Sequence, residues 1–180
     1  MSVKEHIIDI SENLFNRYGY GAVGVDQIRD EACISKTSLY RSFGSKNGLI
    51  KAILQQRHLN FIESLSAYIL ERETQENRIK ALLDWHFAWF KSDDFNGCMF
   101  MHALSEFKYS DDEIIAIAIE HKTEIKQIIL SNISKDDPER LAKSEKIFTL
   151  LEGMIVRAEF QQTIDSKWYE EIVQTIMNNQ

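Results

Sequence analysis

An all-α chain is predicted by three observations. Apolar residues recur at three- and four-residue spacing along most of the sequence, which is helical periodicity. The 180 residues hold one Pro and seven Gly, too few to punctuate a strand-rich fold. Capping residues stand in front of most of the periodic runs: Ser35, Ser45, Thr74, Asp111, Asp137 and Asp165. About nine helices follow. A hydrophobic content of 44% is ample for a core, and the length suits one compact body or two small subdomains.

The first helix is expected over Val3 to Tyr18, with Ile7, Ile8, Leu14, Phe15 and Tyr18 as its stripe and Gly19 as its stop. Gly24 opens a short second helix whose Val25, Ile28 and Ala32 form one buried face. Cys33-Ile34 reads as a tight turn. Ser35 then caps a third helix from Lys36 to about Phe43. Leu39 and Phe43, four apart, pack inward, while Lys36, Thr37, Tyr40 and Arg41 share an outer face with no acid. Two short helices, a tight turn and such a face make a helix-turn-helix over about residues 24–43.

Ser45 caps a fourth helix from Lys46 towards Glu71, roughly 26 residues or ~39 Å long, the length of a strut. A fifth begins at Thr74 or Gln75 and ends near Phe90. Gly97-Cys98 opens a sixth through Phe107, and Asp111 or Asp112 caps a seventh through about Asn132. Asp137-Pro138 predicts the start of an eighth, with Pro at its first position, running to about Gln162. Asp165 or Ser166 starts a ninth through Met177.

Charge is unevenly spread. The net charge is −7, yet Met1 to Ile62 carries eight Lys/Arg against six Asp/Glu, whereas Glu63 to Gln180 carries thirteen against twenty-two. Between Ala32 and Ile62 there are five basic residues, Lys36, Arg41, Lys46, Lys51 and Arg57, and no acid. A phosphate-facing site needs such a local excess.

The stretch VDQIRDEACISKTSLYRSFGSKNGLI resembles the DNA-binding segment of TetR-type repressors. Ile28, Ala32, Ser35, Lys36, Leu39, Tyr40, Phe43, Ser45, Lys46 and Leu49 occupy matching positions over about the first fifty residues. Gly24, Cys33 and Thr37 depart from the pattern, Cys33 and Thr37 standing where Gly is usual. If the turn needs left-handed backbone at Cys33, a side chain there costs ~1–2 kcal/mol. The resemblance implies a three-helix head, residues 1–50, on a larger helical body for ligand binding and dimerisation, residues 51–180. It implies a regulator, a repressor before an activator, that binds a near-palindromic double-stranded operator. Lys36, Thr37 and Ser38 would reach towards bases from the start of the recognition helix, and Tyr40, Arg41 and Lys46 would hold phosphates. One short helix reads only a few base pairs, so a homodimer through the two C-terminal helices is expected.

Aromatic, Met and His residues concentrate between Trp85 and Tyr109. An apolar cavity with a few polar handles is how small-molecule sites are built. The candidates for a small apolar or aromatic effector are Trp85, Trp89, Cys98, His102 and Glu106, with His58 and Phe61 from the strut. Gly97, Cys98, Ala103 and Glu106 also match a Gly-Cys-x-x-x-x-Ala-x-x-Glu pattern of some TetR-type bodies.

The sequence carries no G-x-S-x-G, Gly-rich phosphate loop or paired-carboxylate motif, so no enzyme and no cofactor are expected. His58, His86, His102 and His121 lack metal-ligand spacing, so no metal is expected. The opening MSVKEHIIDI is charged and amphipathic, and no apolar run approaches ~18 residues, so a cytoplasmic chain with reduced thiols and no membrane contact is the expectation. The competing expectation is an all-helical small-molecule binder or enzyme that has lost DNA binding, supported by the departures at Cys33 and Thr37.

Overall fold

A computed structural model describes residues 2–72, 74–160 and 165–178. Among these there are nine helices and no strand: α1 (Val3–Tyr18), α2 (Val25–Glu31), α3 (Lys36–Phe43), α4 (Lys46–Leu70), α5 (Gln75–Phe90), α6 (Met99–Phe107), α7 (Asp112–Ser131), α8 (Arg140–Glu159) and α9 (Ser166–Asn178). The all-helical expectation holds, and most ends fall within a residue or two of their predicted positions, the ordinary scatter of fraying termini. Gln162, the predicted end of the eighth helix, lies outside the described residues.

The start of α8 differs. Pro138 does not open the helix. Asp137 instead folds the chain into a turn, its carboxylate accepting the Glu139 N–H at 2.8 Å while its carbonyl accepts the Arg140 N–H at 3.1 Å. Lys143 reaches back to the same carboxylate at 2.8 Å. An Asx turn satisfied in this way competes with helix continuation, so α8 begins two residues later.

Two compact units are formed. The first is Met1–Leu59 with Cys98–His121, and the second is Asn60–Gly97 with Lys122–Gln180. In the first, α1 packs on α2 and α2 on α3. Ser2 caps α1 in a capping box, its hydroxyl accepting the Glu5 N–H at 3.2 Å while the Glu5 carboxylate takes the Ser2 N–H at 2.7 Å. Ile7, Phe15, Val23, Ile28, Leu39, Leu49, Ile50 and Ile53 are buried together with Met99, Phe100, Ala103 and Ile114 of α6 and α7. Tyr18, expected in the stripe of α1, is instead half exposed beneath Arg17, and Tyr20 takes the buried place. In the second unit α5 packs on α8 and α9, and α8 on α9. Its core holds Leu65, Ile79, Leu82, Leu83, Ile129, Ile147, Leu151, Met154 and Val173.

The junction of α3 and α4 is tight. Gly44 ends α3 at φ 74°, its N–H on the Tyr40 carbonyl at 2.8 Å. Ser45 caps α4, its hydroxyl accepting the Gly48 N–H at 2.9 Å. A Cβ on Gly48 would run into the Phe43 carbonyl oxygen. Elsewhere in a helix Gly→Ala gains ~1 kcal/mol. Here the clash reverses the sign, and Gly48→Ala is expected to destabilise the protein by about 1–3 kcal/mol, the usual cost of overpacking. Urea unfolding monitored by helical circular dichroism checks this; a higher midpoint for the variant would refute the close approach.

Candidate nucleic-acid interface

The helix-turn-helix is built around its turn. The Ile34 N–H reaches back to the Arg29 carbonyl at 3.1 Å, and the Cys33 N–H to Asp30 at 3.2 Å. This pair of bonds is a Schellman end to α2, which requires a left-handed residue at Cys33. Cys33 takes φ 52°, the one positive φ outside glycine among the described residues. The strain anticipated for a non-Gly residue is therefore present, of order 1–2 kcal/mol. Its side chain stays exposed, with the thiol 3.6 Å from the Asp30 carbonyl.

The turn delivers the chain to Ser35, whose hydroxyl accepts the Ser38 N–H at 3.1 Å and caps α3. Leu39, with no exposed surface, pins α3 to the core. Lys36, Thr37, Tyr40 and Arg41 are consequently exposed along the outer side, with Ser38 half buried beside them. Lys36 is not idle in the free protein. Its ammonium lies 2.8 Å from the Asp26 carboxylate, which also holds Arg29 at 2.6 Å. The hydrogen bond from Lys36 is the first cause that keeps Asp26 below the usual carboxylate range. Both partners are about half exposed or more, so the pair is weak and easily broken.

Lys46 is half buried and donates to the Tyr20 carbonyl at 2.5 Å. Burial pulls its pKa below the ordinary lysine value, and the charge of Glu106 pulls it part of the way back. Glu106 itself accepts the Tyr20 N–H at 3.1 Å and the Gly21 N–H at 2.5 Å. The loop between α1 and α2 is thus held from α4 on one side of its peptide groups and from α6 on the other. The sequence offers Glu106 as an effector candidate, four residues from His102 on α6, and gives no direct sign of this role. The available signal was the pair of glycines flanking Tyr20, since Cβ atoms on Gly19 and Gly21 would lie 3.2 and 3.1 Å from the Glu106 oxygens.

A model of the tetR family of bacterial regulatory proteins matches residues 7–53, the stretch that contains the helix-turn-helix and Lys46 but not Glu106. The head is that of the TetR family. Among curated relatives, the transcriptional activator FasR of Mycolicibacterium smegmatis is 32% identical over 87 residues, 48% of this chain but only 39% of FasR. The transcriptional repressor BdcR of Escherichia coli is 24% identical over 164 residues, covering 89% of this chain and 81% of BdcR. The crystal structure of a TetR-family transcriptional regulator from Streptomyces coelicolor superposes with a TM-score of 0.86 at 20% identity, over 97% of this chain and 94% of that one. The fold is therefore that of TetR-family regulators through the body as well as the head.

The effector candidates divide between the units. His58, Cys98, His102 and Glu106 fall in the first. His58 Nδ1 lies 3.2 Å from His121 Nδ1, and His121 stacks on Phe100 at 3.6 Å. Cys98 is buried at the start of α6. Phe61, Trp85 and Trp89 fall in the second unit and do come together. Phe61 stands edge-on to Trp85 at 4.6 Å and to Trp89 at 5.4 Å, and Trp89 meets Phe95 at 4.9 Å. All four rings keep partial exposure. Trp85 donates its indole N–H to Ser64 at 3.2 Å.

His86 sits beneath these rings and was missed as a site residue. It is buried, with Nδ1 2.8 Å from the Leu82 carbonyl, so that nitrogen carries the proton and Nε2 is left as an acceptor. Burial lowers its pKa to about 4, and the Lys122 charge adds to this. In the unfolded chain the value is near 6.5. The unfolded state therefore binds the proton first as pH falls. The stability that His86 supplies is complete above about pH 6.5 and drains away towards pH 4, on the order of 3 kcal/mol in all. Unfolding free energies measured from pH 7.5 to 4.5 should decline accordingly, with a shallower decline in His86→Gln; equal slopes would count against a neutral buried imidazole.

Proposed function

We propose that this chain is a ligand-responsive DNA-binding transcriptional regulator, acting as a repressor. It binds a near-palindromic operator as a homodimer and is released by a small apolar or aromatic effector. The observation that carries the reading is the exposed outer face of α3. It presents two cations, a hydroxyl and a phenol without an acid, on a helix fixed by the buried Leu39. Lys36, Thr37 and Ser38 near the N-terminus of α3 are assigned to base edges, and Tyr40 and Arg41 to phosphates. Lys46 has three donors, so its bond to Tyr20 leaves two for a phosphate.

The division of labour follows the chain, with DNA binding in residues 1–50 and effector binding and dimerisation in residues 51–180. The effector is assigned to the partly exposed rings of Phe61, Trp85 and Trp89, with the neutral His86 as a hydrogen-bond acceptor near them. It acts by binding the DNA-incompetent state more tightly, since only differential affinity shifts the equilibrium. His58, Cys98 and His102 lie in the first unit and remain candidates separate from that ring cluster. Glu106 is assigned instead to the loop it already holds. No described helix is long and apolar enough to cross a membrane, which agrees with a regulator working in the cytoplasm.

Homodimerisation is assigned to α8 and α9. Leu141 and Phe160 are each 71% exposed, and Val156 and Trp168 nearly half exposed. Such exposed apolar side chains on this helix pair are surface that a second copy would cover.

Two experiments test the reading. On duplex selected by the protein from a random library, Arg41→Ala should weaken binding to all sequences and lower the log–log salt slope by ~0.9. Lys36→Ala should instead relax sequence preference. Unchanged slope and preference in both variants would remove α3 from the interface. In sedimentation at micromolar concentration the wild type should be a dimer and Leu141→Glu with Trp168→Glu a monomer; a monomeric wild type refutes the assembly.

A further inference from the structure

The carboxylate of Glu106 lies outside the matched head segment, yet its bonds end within it. The Tyr20–Gly21 peptide group is gripped at both ends. Lys46 donates to its carbonyl oxygen at 2.5 Å, and Glu106 accepts its N–H at 2.5 Å. A cation at the oxygen and an anion at the N–H both align with the peptide dipole, so each bond strengthens the other. The second Glu106 oxygen takes the N–H of Tyr20, whose side chain is buried. Gly19 and Gly21 leave room for the carboxylate.

The same stretch of chain holds the head at further points. The Tyr20 hydroxyl donates to the Met99 carbonyl at 2.9 Å, and its ring meets Phe107 edge-on at 5.5 Å. Asn47 donates to Asp111 at 2.9 Å, and Lys51 pairs with Glu113 at 2.6 Å. These contacts lie in the first unit. The Tyr20 side chain anchors the loop through its ring and hydroxyl, whereas the Glu106 bonds orient the backbone of that loop where it feeds into α2, and α2 carries α3 through the Cys33 turn.

We propose that Glu106 is a positioning residue for DNA recognition. From α6 it fixes the Tyr20–Gly21 peptide and thereby the entry of the chain into α2, setting how the face of Lys36, Thr37, Tyr40 and Arg41 is presented. It touches no base or phosphate itself. This rests on the DNA-binding reading above. Its distinguishing consequence is that Glu106 controls discrimination between sequences and not the electrostatic term, because no phosphate contact is removed.

The test uses full-length protein, a duplex selected by the wild type from a randomised library, and a scrambled duplex of equal length. Glu106→Ala is expected to lose discrimination between the two by roughly tenfold, the scale of one or two lost charge-assisted hydrogen bonds. Binding to the scrambled duplex and its salt slope should stay at wild-type values. Glu106→Gln keeps one acceptor and should fall between. Amide hydrogen exchange at Tyr20 and Gly21 should quicken in both variants. A wild type that discriminates, with variants that discriminate equally well, overturns this proposal alone. Parallel loss of both duplexes together with helical signal is unfolding and also overturns it. A wild type that cannot discriminate at all overturns the DNA-binding reading, and this proposal with it.

Discussion

Tyr20 has 1% of its surface exposed and is held by its ring, its hydroxyl and both of its backbone groups. Its ring lies against Phe15 of α1 at 5.3 Å and Phe107 of α6 at 5.5 Å. Burial pushes its phenol far above the ordinary tyrosine value, so it remains a donor and gives its proton to the Met99 carbonyl. A buried hydroxyl without a partner would cost 1–3 kcal/mol, so the ring and the carbonyl constrain each other. Because Tyr20 sits between α1 and α2, anchoring it fixes the connection through which the helix-turn-helix is hung. The other devices of the head refine a position that this residue sets.

That order of dependence explains which irregularities the chain tolerates. Cys33 holds a strained left-handed conformation because two backbone bonds and the buried Leu39 and Ile28 over-determine the turn. Gly48 has no such latitude, since backbone and not a flexible side chain stands where its Cβ would go. Surface electrostatics behave differently again. The pair of Lys36 with Asp26 is solvated on both sides and contributes little to stability, so it stays exchangeable.

Local signals in the sequence were sufficient for the elements. Ser35, Ser45 and Thr74 cap helices as their spacing indicates, and the periodic runs set the length of α1 and α4 to within a residue. The strain at Cys33 was also legible, because Cys33 stands where the TetR-type pattern has Gly, the residue that takes φ above zero without cost. What escaped was tertiary. Tyr18 and Tyr20 are equivalent by composition, and only the arrival of Phe107 and Met99 decides which is buried. Asp137-Pro138 reads as a helix start until Lys143 is seen to pin the carboxylate in a turn. Glu106 and His102 share a face by spacing, but the amides that claim the carboxylate are more than eighty residues away in sequence. For the effector site, periodicity could collect aromatic residues without saying which of them keep exposed rings, nor that His86 would be the buried neutral one.

The charge asymmetry gives these geometric details their leverage. A chain of net charge −7, with its acids concentrated beyond residue 62, gains little from general attraction to DNA. On the proposed reading, affinity comes from the few cations around α3, and these deliver it only when the helix is presented at the angle the groove requires. Under such conditions a change of about 1.4 kcal/mol in how the head is held alters operator occupancy tenfold. Interactions of one or two hydrogen bonds, such as those on the Tyr20–Gly21 peptide, are of that size. A strongly basic head would bind DNA despite small errors in pose, whereas the proposed reading makes pose decisive for this one.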